Sequence, residues 1–204
     1  MRVKFCAPFL CKTHKTRLQP KENRAFWLSI VKRFSALMIV VEVSISCSGS
    51  KLCPSRSCQA VSTPSYPLAA YEVGERFRLY ANDTGLLMAM YDFDMKRAVV
   101  ENTLAGPMKG GLYENLVAVM LAAQGLPLRY WTSANGSHEI EFLGSRDARV
   151  EPIEVKASRG STASLNALLE RDDITQGFKL VDGNVGRDGK KVTLPHYLAP
   201  YLYR

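Results

Sequence analysis

The sequence contains no apolar stretch able to cross a bilayer. Its longest, Phe34 to Val41, ends at Glu42, far short of the roughly 20 residues a membrane helix needs. Lys4 and Lys12 interrupt the amino-terminal apolar residues that a secretory leader keeps together. No membrane association is expected, and a cytoplasmic location follows by default. No cysteine comes after Cys58: Cys6, Cys11, Cys47, Cys53 and Cys58 all fall in the first third. An odd count excludes a fully paired disulfide framework. Cys6, Cys11 and His14 cluster, as do Cys53 and Cys58, yet neither group has the tight Cys-x-x-Cys of a zinc knuckle, so free thiols are expected. Gly-x-x-x-x-Gly-Lys-Ser/Thr is also missing. Without that phosphate-binding loop, no ATP binding or hydrolysis is expected of this chain.

What is present is enough for a core. The 204 residues are 47% hydrophobic, which allows one ordinary domain and a smaller appendage. A formal net charge of +8 suits an anionic partner such as nucleic acid without requiring one.

Residues Gln19 to Val31 read as a helix with one apolar side and basic flanks, a helix that packs on something. From Ser44 to Ser65 serine and cysteine crowd the chain with no helical or strand period, and an irregular, poorly ordered stretch is expected there. Order returns with Pro67-Leu68-Ala69-Ala70-Tyr71. Phe77-Arg78-Leu79-Tyr80 alternates like a strand, and Asp83-Thr84-Gly85 opens an apolar helix that Asp83 is expected to cap. Gly106-Pro107 and Gly110-Gly111 punctuate the entry to the longest helix, Leu112 to Gln124. Leu112, Leu116, Val119, Met120 and Ala123 form one stripe, and Val117 and Leu121 make the opposite side apolar as well, as in a helix buried over most of its surface. Glu114 lies on the Val117 and Leu121 side, where a carboxylate is costly unless paired, hydrogen-bonded or bound to a cation. Two readings stand side by side: a functional acid, or one that faces solvent or pairs with an arginine.

Three strands follow in the reading. Leu128 to Trp131 is turned by Asn135-Gly136 into His138-Glu139-Ile140-Glu141-Phe142-Leu143, and after Gly144 to Arg149 comes Val150 to Ala157. In the last of these, alternation sends Ile153 and Val155 one way and Glu154 and Lys156 the other. An acid two before a lysine also occurs at Asp94-Met95-Lys96 and Asp188-Gly189-Lys190, so the spacing alone says little. Only Glu154 and Lys156 lie in a β-branched run preceded by another acidic strand, which brings Glu141 alongside. A helix with Leu165, Leu168 and Leu169, capped by Ser161 or Ser164, then Phe178 to Val181 and Val192 to Pro195 complete the order. The expected architecture is α/β, a mixed sheet flanked by helices in which the Glu141 and Glu154 strands pair.

Taken in order, Phe77-Arg78-Leu79-Tyr80 with Asp83-Thr84-Gly85-Leu86-Leu87, Gly111-Leu112-Tyr113-Glu114-Asn115, Tyr130-Trp131-Thr132, Glu139-Ile140-Glu141-Phe142 and Pro152-Ile153-Glu154-Val155-Lys156 resemble a known domain. It is the C-terminal domain, of unknown function, of prokaryotic AAA-type ATP-binding proteins, similar to the PD-(D/E)XK nucleases. The resemblance runs from about Pro67 to the C-terminus. It implies a restriction-endonuclease-like fold over 106–204, a small strand and helix unit over 67–105, and an irregular helical and strand remnant over 1–66. It also implies a truncated member without the ATPase domain.

By the same resemblance Glu114, Glu141, Glu154 and Lys156 are the catalytic set, with Mg²⁺ or Mn²⁺ on Glu141 and Glu154. Such an ion polarises a phosphate and acidifies bound water, and a lysine beside it steadies the developing charge. The family usually has aspartate where this chain has Glu141. The added methylene moves the ligand by about a bond length and Mg²⁺ demands near-ideal geometry, so weak or absent cleavage is expected. Between Ser35 and Ser65 the likeness lapses, as it would in a stretch translated out of frame. DNA and an AAA-type ATPase are the implied partners. The competing expectations are a non-catalytic module that binds DNA or docks the ATPase, and a degenerate open reading frame.

Overall fold

The computed structural model of the protein describes residues 55–158 and 160–203. The expected helix Gln19 to Val31, and Cys6, Cys11, Cys47 and Cys53, lie outside these residues. The described chain begins with β1 (Ser55–Val61), a 3-10 helix (Leu68–Tyr71) and β2 (Glu72–Ala81). Three helices follow, α1 (Thr84–Ala89), α2 (Phe93–Val100) and α3 (Gly106–Ala123). Then come β3 (Arg129–Thr132), β4 (Glu139–Ile140), β5 (Phe142–Arg146), β6 (Arg149–Lys156) and α4 (Ala163–Leu169). The chain closes with β7 (Gly177–Val181), β8 (Gly186–Asp188), β9 (Lys191–Leu194) and a second 3-10 helix (His196–Tyr201). No described helix is long and apolar enough to cross a membrane.

The architecture is α/β, with two mixed sheets rather than one. The first has the order β2-β1-β3-β4 and the second β5-β6-β7-β9-β8. β1 corrects, over Ser55–Val61, the expectation of irregular chain from Ser44 to Ser65, of which Ser44 to Pro54 lie outside the described residues. It pairs antiparallel with β2 and parallel with β3, so neighbours on both sides impose a strand that its own composition does not announce. Cys58, a free thiol on this strand, is fully buried.

The run read as one strand from His138 to Leu143 is also corrected. β4 pairs with β3 in the first sheet, β5 pairs with β6 in the second, and the chain passes from one to the other at Glu141. The expected pairing of the Glu141 and Glu154 segments holds, with Phe142 opposite Ile153. Asp147 and Ala148 make the two-residue turn between β5 and β6, both with positive φ, 49° and 58°. That is the primed turn that fits twisted strands, made here without glycine.

α3 starts at Gly106, six residues before the expected Leu112. Pro107 falls in its first turn, where a missing N–H costs nothing. Its buried side is Gly111, Asn115, Val117, Ala118 and Leu121, so the Val117 and Leu121 stripe is the core face. Val117, Ala118 and Leu121 pack with Cys58, Tyr80 and Tyr130 of the first sheet and Phe142, Ile153, Val155, Phe178 and Leu180 of the second. On the other side Leu165 and Leu168 of α4 pack with Ile140, Leu143, Val150 and Ile174. Gly177 lets α4 come close to β7: an added Cβ would stand 2.9 Å from Leu165 Cδ1 and 3.1 Å from Pro152 Cγ. Asp83 caps α1 as expected, accepting from Leu86 N at 2.7 Å.

Candidate active site

β6 is buried along nearly its whole length, so its alternation separates two environments. Ile153 and Val155 enter the core shared with α3, and Glu154 and Lys156 take the opposite face, as the strand period requires. Glu154 is 1% exposed. One of its carboxylate oxygens lies 3.1 Å from Lys156 Nζ; the other, Oε2, is buried with no hydrogen-bond partner. An acceptor left unmet at such depth is costly.

Glu141 reaches the same lysine from the break between the sheets. Lys156 Nζ donates to Glu141 Oε1 at 3.4 Å, and the Val155 backbone N–H donates to Oε2 at 3.1 Å. Burial pushes the Glu141 carboxyl up to about 7, against the pull of Lys156, with nearby Glu114 adding to the rise. Burial also raises Glu154, opposed chiefly by Lys156 and then by Lys179 and Lys191. Lys156 is desolvated in turn, yet the two carboxylates outweigh that and hold its ammonium above the ordinary lysine range. One cation thus serves two buried acids.

Glu114 is held elsewhere. Arg78 Nη1 lies 3.3 Å from its carboxylate and the Tyr80 hydroxyl donates to the same oxygen. Arg78 itself is buried, with Nη2 2.6 Å from Glu139 and its guanidinium 4.1 Å from the centre of the Tyr130 ring. Burial raises the Glu114 pKa and Arg78 opposes the rise. The arginine partner weighed for Glu114 is present, as Arg78. Asn115 beside it fastens α3 to the end of β2, accepting from Ala81 N at 2.8 Å and donating to Ala81 O at 3.3 Å.

Glu141, Glu154 and Lys156 are therefore brought together, while Glu114 lies near Glu141 but with its own partners. Among the described residues no three His, Cys, Asp or Glu side chains are grouped closely enough to hold a metal ion. A site of two carboxylates still suits Mg²⁺, which commonly keeps several waters and binds through one or two carboxylates, and the unpartnered Glu154 Oε2 is an oxygen for which a cation would be the natural partner.

Several residues of this region were not singled out from the sequence. Arg78 and Tyr80 lie two apart on β2 and so share a face, a signal present in the alternation of Phe77 to Tyr80. His196 had no such signal. Its Nε2 lies 3.0 Å from the Lys156 carbonyl oxygen and its ring packs on Tyr113 at 4.5 Å between centroids, which ties the end of β6 to α3 and the last helix. Lys179, beside Glu154 in the register of β6 and β7, donates to Gly160 O at 3.4 Å. Lys191 pairs with Asp188 at 3.3 Å.

Fold and site together define an α/β protein with a buried carboxylate pair bridged by a lysine, one acid on an interior strand and the other where the chain passes between two sheets. Residues 109–195 match the family described as Domain of unknown function (DUF4143). No curated protein and no solved structure matches the chain.

Proposed function

We propose that the Glu141, Glu154 and Lys156 cluster is the centre of a nuclease-like site of restriction-endonuclease type, in a domain that works beside an AAA-type ATPase. The observation that supports the reading most is the pair of acids converging on one lysine with Glu154 Oε2 unpartnered. Glu141 and Glu154 would hold Mg²⁺ or Mn²⁺. Bound there, the ion would supply Lewis-acid polarisation of a phosphate and a more acidic water. Lys156 contributes a positive charge and a donor beside that phosphate once its carboxylates have another partner. Lys179 on β7, the strand next to β6, and Lys191 on β9, one strand further on, add positive charge for a DNA backbone. His196 holds the Lys156 carbonyl, so the end of β6 cannot drift from the site. Glu114 acts as a brace between α3 and β2 rather than as a ligand.

That last point favours a second reading, a non-catalytic DNA-binding or ATPase-docking module, because the helix acid is already satisfied by Arg78 and Tyr80. Melting of the purified protein with and without millimolar Mn²⁺ and DNA separates the two. The nuclease reading expects Mn²⁺ to stabilise the protein, by about 2.7 kcal/mol at a hundred times the dissociation constant, and Glu154→Gln to remove most of that gain. It also expects Glu141→Asp to increase cleavage. A melting temperature indifferent to Mn²⁺, with no cleavage by Glu141→Asp, would leave the docking module.

A further inference from the structure

Two consecutive helices carry large apolar side chains into solvent. Leu86 on α1 and Met90 at its C-cap are 47% and 40% exposed, and Phe93 and Val100 on α2 are 75% and 87% exposed. Neither helix buries a single residue. Spacings of four and seven put each pair on one face of its helix. Isolated exposed leucines are ordinary, but apolar faces on adjacent elements mark a place where something docks.

The surroundings of these faces narrow the occupant. The stretch from Asp83 to Glu101 contains Asp83, Asp92, Asp94 and Glu101 against Lys96 and Arg97, and Arg97 is already tied to Asp94 at 3.1 Å. A basic partner is therefore favoured. The described residues begin at this spot, because Ser55 pairs with Ala81, two residues before the Asp83 cap of α1. That preceding chain is basic: from Met1 to Arg33 it holds Arg2, Lys4, Lys12, Lys15, Arg17, Lys21, Arg24, Lys32 and Arg33 against Glu22 alone. It also contains Ala25-Phe26-Trp27-Leu28-Ser29-Ile30-Val31, an apolar stretch flanked by Lys21, Arg24, Lys32 and Arg33. The residues from Phe34 to Pro54 that join it to β1 span up to roughly 70 Å when extended, so reach does not limit the contact.

We propose that Ala25 to Val31 of this chain docks on the apolar faces of α1 and α2, with its basic flanks against Asp92 and Glu101. The surface serves the chain's own amino-terminal segment, apart from whatever occurs at Glu154. The test uses the full chain carrying Trp131→Phe, which leaves Trp27 as the sole tryptophan. Acrylamide quenching and the emission maximum then report on Trp27 alone. Docking predicts a shielded, blue-shifted Trp27 that becomes several-fold more quenchable when Phe93→Ser and Val100→Ser are added. Both positions are exposed, so the far-ultraviolet circular dichroism should stay the same. Tyr197→Ser, an equally exposed aromatic position far along the chain, should leave Trp27 shielded. Trp27 quenched as freely as indole in water overturns the proposal, as does shielding that ignores the Phe93 and Val100 changes. Shielding that appears only at concentrations where sedimentation finds dimers overturns it too, and assigns the surface to a second copy.

Discussion

Glu141→Gln should reshape the pH dependence of stability. In the folded protein burial lifts the Glu141 carboxyl from 4.5 to about 7. Between those values the unfolded chain releases this proton while the folded chain keeps it. The contribution to stability is therefore fully present below pH 4.5 and is lost as pH rises to about 7. At about 1.4 kcal/mol for each tenfold change in proton affinity, the loss is about 3 kcal/mol. Glu154 and Glu114 are also raised and act in the same direction. His196, lowered chiefly by burial, acts oppositely, since it resists protonation when folded and costs stability as pH falls. Subtracting the variant's profile from that of the parent cancels these common contributions. The assay is urea unfolding at half-unit steps of pH, with the slope against urea checked for constancy. The difference curve should fall by about 3 kcal/mol across that window. Saturating Mn²⁺ should flatten the parent's curve, because a cation at Glu141 holds its carboxylate ionised. Parallel profiles for parent and variant would refute the placement of Glu141 in a desolvated site.

Arg78→Met leaves Glu114 and Glu139 without their shared cation and should cost about 3–5 kcal/mol in denaturant unfolding, part of which Glu114→Gln in the same chain should restore. Gly177→Ala places a Cβ 2.9 Å from Leu165 Cδ1 and 3.0 Å from Leu169 Cδ2; lifting α4 to make room should cost about 1–3 kcal/mol and lower the melting temperature. Ala148→Gly relieves an L-residue held at φ 58° and should raise stability by roughly 1 kcal/mol, with the β5 and β6 pairing unchanged by amide exchange.

Much of the second sheet could be read from the residues, because a hairpin and a parallel crossover both leave local marks. Period two in Pro152 to Lys156, the polar turn before it and the leucines of α4 each act within a few positions, and the pairing of the Glu141 and Glu154 segments followed from them. What escaped depends on distance in the chain. β1 is rich in serine and becomes a strand only because β2 and β3 flank it. The break at Glu141 is invisible in a six-residue alternating run, since either sheet accepts the same pattern. Arg78 and Tyr80 meet Glu114 across 36 and 34 positions, and an ion pair of that separation imposes no periodicity on either partner. The early start of α3 was hidden by Gly106, Pro107, Gly110 and Gly111, which read as punctuation although a first turn tolerates them.

The position of β1 between β2 and β3 bears on where this protein can be divided. The family match covers 109–195, and that stretch taken alone is not a self-sufficient unit. It keeps β3 and β4 but loses β1 beside them and β2 beyond it, so the first sheet shrinks to a two-stranded ribbon with a bare edge, a form marginal in water. It retains Glu114 without Arg78 or Tyr80, and Lys156 without the His196 that pins its carbonyl. A minimal fragment has to begin at or before Ser55 and run past Tyr201, so the recognisable stretch is smaller than the smallest piece expected to hold its shape.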